Sequence, residues 1–466
     1  MTKRLSAIAT LACLALALAA PLARAVGAAP AVNAADYPTL DEAVSALPAE
    51  GGTVLLPPGR FVLTKTLNLS WARHRSPQFS VNLRGAGKLA TVVLLDTDRQ
   101  PGIDFTGNSY WTVSDLHLMN RSANVGVLLA RTPPGANGCS GEFRNVYFSG
   151  CFPIAAVYMT GAECCRFVNC TITNQLKKWY NKDIAWMTEG EACVMISAGN
   201  IRELKSPYCE STGGGSNTEF LFDGTTMSTE AAGSVCLKVF GQTSDVRVIS
   251  CYLHSDGLAG VYLDGTKGNV NAIALRDVRI EGEHGKYGLY ARGHVFSVAI
   301  DGGNWSSTFE TILQEGAASF TDQAAAASDT GQATQWRIQG LGMNNWDGSA
   351  LHPDYKASMA ELGYTAANTC WPDDQPYVFM RFARLVDSVI EPAMFCTLRF
   401  REDAAGKPVT QDSFSCGDIS TAIRARWRLV ALGAECHGNR ITASLPGQVD
   451  LIGEAAKRNV LTVLNP

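Results

Sequence analysis

The sequence predicts an all-β solenoid, and three observations lead there. A similar segment recurs at intervals of roughly 24–30 residues, with two longer gaps. Each copy carries short runs in which alternate residues are apolar, the period of a strand with one buried face. Each copy also breaks at a polar or glycine residue suited to a tight turn. The turn segments are "WTVSDLHLMN" with Asp115, "GEFRNVYFSG" with Asn145, "CRFVNCTITN" with Asn169, "EFLFDGTTMS" with Asp223, "VRVISCYLHS" with Ser250, "IALRDVRIEG" with Asp277 and "SVAIDGGNWS" with Asp301. "WRIQGLGMNN", with Gly340, is a looser copy. A single copy cannot bury its apolar face. Stacked copies can, because like residues fall above one another.

Taken in order, the chain begins with a leader. Lys3 and Arg4 precede an apolar run from Ile8 to Ala20, and Ala23-Arg24-Ala25 follows. That pattern predicts a signal peptide over residues 1–25, and a secreted or periplasmic protein. The run is too short for a convincing membrane span, and no other run is long enough. Removing Lys3, Arg4 and Arg24 takes the net charge from −4 to about −7. No basic stretch suggests nucleic acid. Cys13 leaves with the leader, so an odd number of cysteines remains in a compartment that permits disulfides. No CxxC or zinc-type His/Cys spacing is present, and no metal site is assigned.

Next comes "DYPTLDEAVSALPAEGGTVLLPPGRFVL". Thr39 and Glu42 read as a capping box, and Leu40, Val44 and Leu47 as the apolar face of a helix. Such a helix would cover the open end of the solenoid and its first strand edges. Within each copy another strand precedes the turn segment. These strands read "VGVLLAR", "AAVYMTG", "ACVMISAG", "SVCLKVFG", "AGVYLDG", "YGLYARG" and "FETILQEG". The repeat runs over residues 26–345, and the pattern then weakens. Residues 346–466 read as final rungs or a small β cap packed on the solenoid.

The capping helix, the GG-x-V-x-x-P-x-G run into the first strand and the Asn145/Asn169 turns together resemble the pectin lyase-like superfamily. The resemblance implies a right-handed parallel β-helix, an asparagine ladder at the second turn, and a sugar chain lying over the first sheet. It is strongest over residues 36–345. It is a resemblance of fold, which does not fix function.

If the first strands stack in register, their outward residues form columns. One reads Leu128, Tyr158, Met195, Cys236, Tyr262, Tyr290 and Leu313. The next reads Ala130, Thr160, Ser197, Lys238, Asp264, Arg292 and Glu315. The second column turns charged midway, which makes Lys238, Asp264, Arg292 and Glu315 the candidate catalytic residues. Tyr262 and Tyr290 stand beside them as candidate sugar contacts. A plain ladder of opposite charges and stacked rings gives the same pattern without chemistry. Two insertions flank the strand "ACVMISAG" and are expected to wall the groove. Residues 174–191 carry Trp179, Tyr180 and Trp186, and residues 200–217 follow the strand. His284, with Asp256 and Glu283, borders the same groove, and His254 and His284 are further acid–base candidates.

Three chemistries stay open. Elimination from a uronate needs a cation for the carboxylate and a base, with Lys238 as base if Arg292 or burial lowers its pKa. The resemblance extends that chemistry to Arg or Lys bases and to Ca2+, although no compact acidic cluster is evident. Hydrolysis could use Asp264 with Glu315, two rungs or ~10 Å apart. The superfamily's polygalacturonases carry paired aspartates and a Gly-His-Gly motif, whereas here no Asp-Asp pair falls on a matching strand and Gly-His-Gly is absent. The expected partner is a polysaccharide, with a lean to an acidic polymer because Lys238 and Arg292 line the groove. Non-catalytic carbohydrate binding or adhesion, and epimerisation of uronates, are the alternatives. Cys139 and Cys164 are expected to meet across adjacent rungs, while Cys170 and Cys251 read as buried thiols.

Overall fold

The computed structural model describes residues 30–463, apart from 71–79, 132–137, 199–216, 283–284, 308–309, 316–332, 348–376, 393, 403–407, 414–426, 444–448 and 452–457. The expected leader, the second insertion and His284 therefore lie outside the described residues.

Short parallel strands coil into a solenoid. Each full turn contributes a first strand, a second strand and a third strand. First and second strands belong to one 28-stranded sheet, and third strands form a separate 12-stranded sheet. The two faces of the large sheet merge because single bent strands serve both, as in Ala259–Arg276 and Tyr287–Asp301. Their pairing shifts register between Gly265 and Val270, where the chain turns the corner.

The open end is closed as the capping box predicts. The helix Leu40–Ser45 starts at Thr39, whose side chain accepts from the Glu42 amide and donates to its carboxylate. Leu40, Ala43, Val44 and Leu47 join the main core. Strand Ala31–Asn33 pairs with Gly51–Leu55 and begins the stack.

Between second and third strands the chain passes through the left-handed region at one residue per rung. Asp115, Asn145, Asn169, Ser250 and Asp277 all have φ between 50° and 56°. The Asn145 amide donates to the Asp115 carboxylate at 2.8 Å, and Asn169 donates to Asn145 at 3.4 Å. That is a short polar ladder on adjacent rungs. In two rungs the turn falls one residue later than the sequence pattern suggests. Gly224 (φ 55°) and Gly302 (φ 70°) hold the left-handed position, and Asp223 and Asp301 end the preceding strands. Glycine adopts this conformation without the Cβ penalty that Asp incurs, so the turn settles on it where both are offered.

The interior is apolar and stacked. Phe143, Phe167 and Phe222 lie on successive rungs with ring centroids 5.0 and 4.6 Å apart. Just after the turn, Cys170, Thr225 and Cys251 form an inward row. The Cys170 amide donates to the Thr225 hydroxyl, and the Thr225 amide to the Cys251 sulfur. Burial pushes the thiols of Cys170 and Cys251 up to about 11 and about 12, so both are inert core groups. The side chain of Cys139, which the sequence sets against Cys164, lies outside the described residues. Cys139 lies in register with Glu163, one residue short, and the Cys164 thiol donates to Glu219 at 2.8 Å.

On the third sheet His117 is 5 % exposed, stacked on Tyr147 at 4.4 Å, with Nε2 2.6 Å from the Ser149 hydroxyl. Burial lowers its pKa from 6.5 to about 4. Above pH 6.5 the ring is neutral in both folded and unfolded chains. Between 6.5 and 4 the unfolded chain binds the extra proton, so stability falls as pH falls and levels off below 4. The full loss is on the order of 3 kcal/mol. Denaturant unfolding at pH 7, 5 and 4 should show this slope in the wild type and a flatter one in His117→Gln.

Past residue 346, Tyr377–Phe382, Trp427–Leu432 and Val449–Leu451 pair in parallel, as do Val389–Glu391, Arg440–Ala443 and Val460–Val463. Met394–Glu402 turns back antiparallel onto Pro408–Ser413. No helix among the described residues is long and apolar enough to cross a membrane.

Candidate functional site

The outward columns of the first strands are set by the pairing register. Met195, Lys238, Tyr262, Tyr290, Leu313 and Arg381 stand side by side. The neighbouring column reads Ser197, Phe240, Asp264, Arg292 and Glu315. Asp264, Arg292 and Glu315 are thus consecutive, as the sequence suggests. Lys238 is not among them. It stands in register with Tyr262, and Cys236 points into the core, fully buried. The rung "SVCLKVFG" is therefore shifted by two residues from the sequence alignment. A two-residue slip keeps the same residues outward, so alternation alone does not detect it.

This shift changes what Lys238 can do. Its ammonium pairs with the carboxylate of Glu191, at the end of the first insertion, and lies 5.7 Å from the centre of the Tyr262 ring. Arg292 is two strands away and one column over. The sequence argument for Lys238 as a base tuned by Arg292 loses its geometry. Glu191 escaped the sequence reading because only the fold brings it to Lys238. Its signal was a carboxylate placed just before a first strand.

Asp264 is 8 % exposed. Its carboxylate accepts from the Tyr262 hydroxyl at 2.9 Å, from the Thr266 amide at 3.0 Å and from the Thr266 hydroxyl at 2.5 Å. Glu315 is more open. It accepts from the Tyr290 hydroxyl and lies 3.4 Å from Nε of Arg292. Arg292 also hydrogen-bonds Tyr262, which holds its guanidinium firmly charged. Burial, then the nearby Asp264 charge, pushes the Tyr262 phenol up to about 12. Burial and the hydrogen bond to Glu315 raise Tyr290 as well. Both phenols stay protonated donors at neutral pH and orient the two carboxylates.

The tyrosine rings stack along the solenoid axis. Tyr262 and Tyr290 are 5.0 Å apart and nearly parallel, and Tyr287 follows at 5.3 Å from Tyr290. Tyr262 and Tyr290 therefore pack face to face on each other, and each hydroxyl donates to a carboxylate of the neighbouring column. Of the insertion aromatics, Trp186 lies against Arg99, with the guanidinium 5.0 Å from the ring centre, and so anchors the loop upstream. Trp179 and Tyr180, on the short helix Lys177–Tyr180, are 58 % and 48 % exposed. The loop is tied down by Asn181, which donates to the Arg121 carbonyl and accepts from the Cys151 amide.

Upstream of Lys238 the outward face is apolar and covered, with no exposure at Leu128 or Tyr158 and 3 % at Met195. The accessible polar part of the sheet thus runs from Lys238 to Arg381, where Arg381 Nε contacts the buried Glu310 at 2.8 Å. On the third sheet, His254 lies 3.3 Å from Asp256 and from the Tyr252 hydroxyl, in a separate cluster. Among the described residues no three His, Cys, Asp or Glu side chains converge to hold an ion.

Solved structures share this architecture. DFA-IIIase from Arthrobacter chlorophenolicus A6, in complex with GF2, aligns over 94 % of this chain and 99 % of its own, with 11 % identity and a TM-score of 0.53. The fold is a right-handed parallel β-helix. The A-module of the mannuronan C-5 epimerase AlgE4 from Azotobacter vinelandii aligns over 94 % of this chain and 98 % of its own, with 13 % identity and a TM-score of 0.45. ORF18 of Geobacillus virus E2 aligns over 79 % of the chain with 13 % identity and a TM-score of 0.46, and the chain spans 61 % of its length. No family model matches the chain, and no curated protein matches it in sequence. At these identities the likeness is one of fold, and any activity has to be argued from the site.

Proposed function

We propose that this β-helix is an exported polysaccharide-active enzyme that hydrolyses glycosidic bonds on the outward face of its first strands. One observation carries the reading. Asp264 and Glu315 share a column with Arg292 between them, so their backbones lie two strand spacings, or ~10 Å, apart. Inverting glycosidases place their carboxyl groups about 6.5–9.5 Å apart, which leaves room for a water. In this reading one of the two carboxyl groups takes a proton from the attacking water, while the other, entering the cycle protonated, delivers its proton to the leaving glycosidic oxygen. Arg292 and Tyr290 hold Glu315, and Tyr262 and Thr266 hold Asp264. Elimination gains no support from the cations, because the ammonium of Lys238 is held by Glu191 and Arg292 by Glu315.

A panel of polysaccharides tests the reading. Incubation with the mature chain should generate reducing ends without the ultraviolet absorbance of unsaturated sugars. Both signals rising together would indicate a lyase. Binding without either signal would indicate a carbohydrate-binding protein, and both outcomes contradict hydrolysis.

A further inference from the structure

The charge balance of the same face bears on what kind of glycan it accepts. Three cations point outward along the accessible part of the sheet, and each is already engaged by a carboxylate of the chain. Lys238 pairs with Glu191, Arg292 with Glu315, and Arg381 with Glu310. Asp264 adds a carboxylate within the field of Arg292. With one of Asp264 and Glu315 protonated, as the hydrolase reading requires, Glu191, Glu310 and the remaining carboxylate still balance Lys238, Arg292 and Arg381 one for one. The upstream outward residues Tyr158, Thr160, Met195 and Ser197 carry no charge.

The described turn residues that lead into these strands carry both signs, with Lys286 just before the strand that begins at Tyr287. Glu230 and Asp256 precede the strands that begin at Val235 and Ala259. Burial, then the charge of Asp256, disfavours the ionised form of Glu230, as expected where acids crowd. On the opposite rim Lys267 is exposed and packs its ammonium over the Phe240 ring at 5.8 Å. A polyuronate or sulfated chain needs cations along its length. Here each carboxylate of such a chain would have to displace an internal acid from its cation, leaving like charges side by side.

We infer that the glycan accepted by this face is an uncharged chain rather than a polyanion. The inference rests on the hydrolase reading of the same site. It replaces the lean to an acidic polymer, which counted Lys238 and Arg292 as cations available to substrate.

Affinity electrophoresis tests it with the full mature chain at low and high salt. The probes are neutral chains (a glucan, a galactan and a fructan) and two polyuronates, polygalacturonate and alginate. The wild type should be retarded by a neutral chain, with polyuronates bound at least about tenfold more weakly. Glu191→Gln releases the Lys238 ammonium. It should gain about tenfold in polyuronate binding at low salt and lose that gain at high salt. Wild-type retardation by a polyuronate that weakens with salt would overturn the inference, and so would retardation by neither class. The two readings fail separately. Reducing ends released from a polyuronate would overturn the uncharged-chain inference and leave hydrolysis standing. A neutral chain bound without cleavage would leave the inference standing and overturn hydrolysis.

Discussion

Asp264→Asn and Glu315→Gln should each lower the rate of glycan cleavage about 10²–10⁴-fold, the usual worth of a positioned general acid or base. Both changes keep side-chain size and one acceptor oxygen, so the hydrogen bonds from Tyr262 and Tyr290 have somewhere to go. Lys238→Ala, outside the Asp264 column, should retain activity to within about tenfold, since it removes a cation already held by Glu191. The pH profile adds a second readout. Two carboxyl groups acting as acid and base give a bell, and each variant should remove one limb. Full activity in both carboxylate variants would place the chemistry elsewhere on the helix.

Phe167→Ala should cost about 3–5 kcal/mol of stability. Its ring is fully buried between Phe143 and Phe222, so truncation leaves a gap that neighbouring rungs fill only in part. In a solenoid each rung touches only its neighbours, so the loss falls on one link of a linear stack. Denaturant unfolding should therefore show a lower midpoint and a shallower transition as the two halves uncouple. Trp179→Ala, at an exposed side chain, should stay within about 0.5 kcal/mol of wild type.

The repeat was readable because two physical constraints recur at each rung. The apolar alternation marks strands, and a residue able to adopt left-handed angles marks the turn. Asn145 and Asn169 show both constraints acting together. The capping helix was readable for the same kind of reason, since Thr39, Glu42 and the apolar face are local signals. Register was harder. At Asp223 and Asp301 the following glycine takes the turn, and a polar residue beside a glycine gives no local indication of which will move.

The site shows the limit more sharply. The adjacency of Tyr262 with Tyr290, and of Asp264 with Arg292 and Glu315, is legible because three consecutive first strands align without insertions. Lys238 was misplaced because alternation has a period of two and tolerates a slip of two. The glycines that close these strands, Gly241, Gly265 and Gly293, held the correct alignment. Matching them sets Phe240 beside Asp264 and leaves Lys238 beside Tyr262. The Glu191 pairing and the covered upstream face were not readable, because both depend on contacts between segments distant in sequence.

The most direct measurement is the configuration of the first product. Proton NMR during the first minutes of cleavage resolves the new anomeric centre before mutarotation mixes the forms. A two-rung separation of Asp264 and Glu315 predicts the inverted anomer. A retained anomer, or unsaturated ends in place of a hydrolytic product, would contradict the assignment of this column as the hydrolytic site.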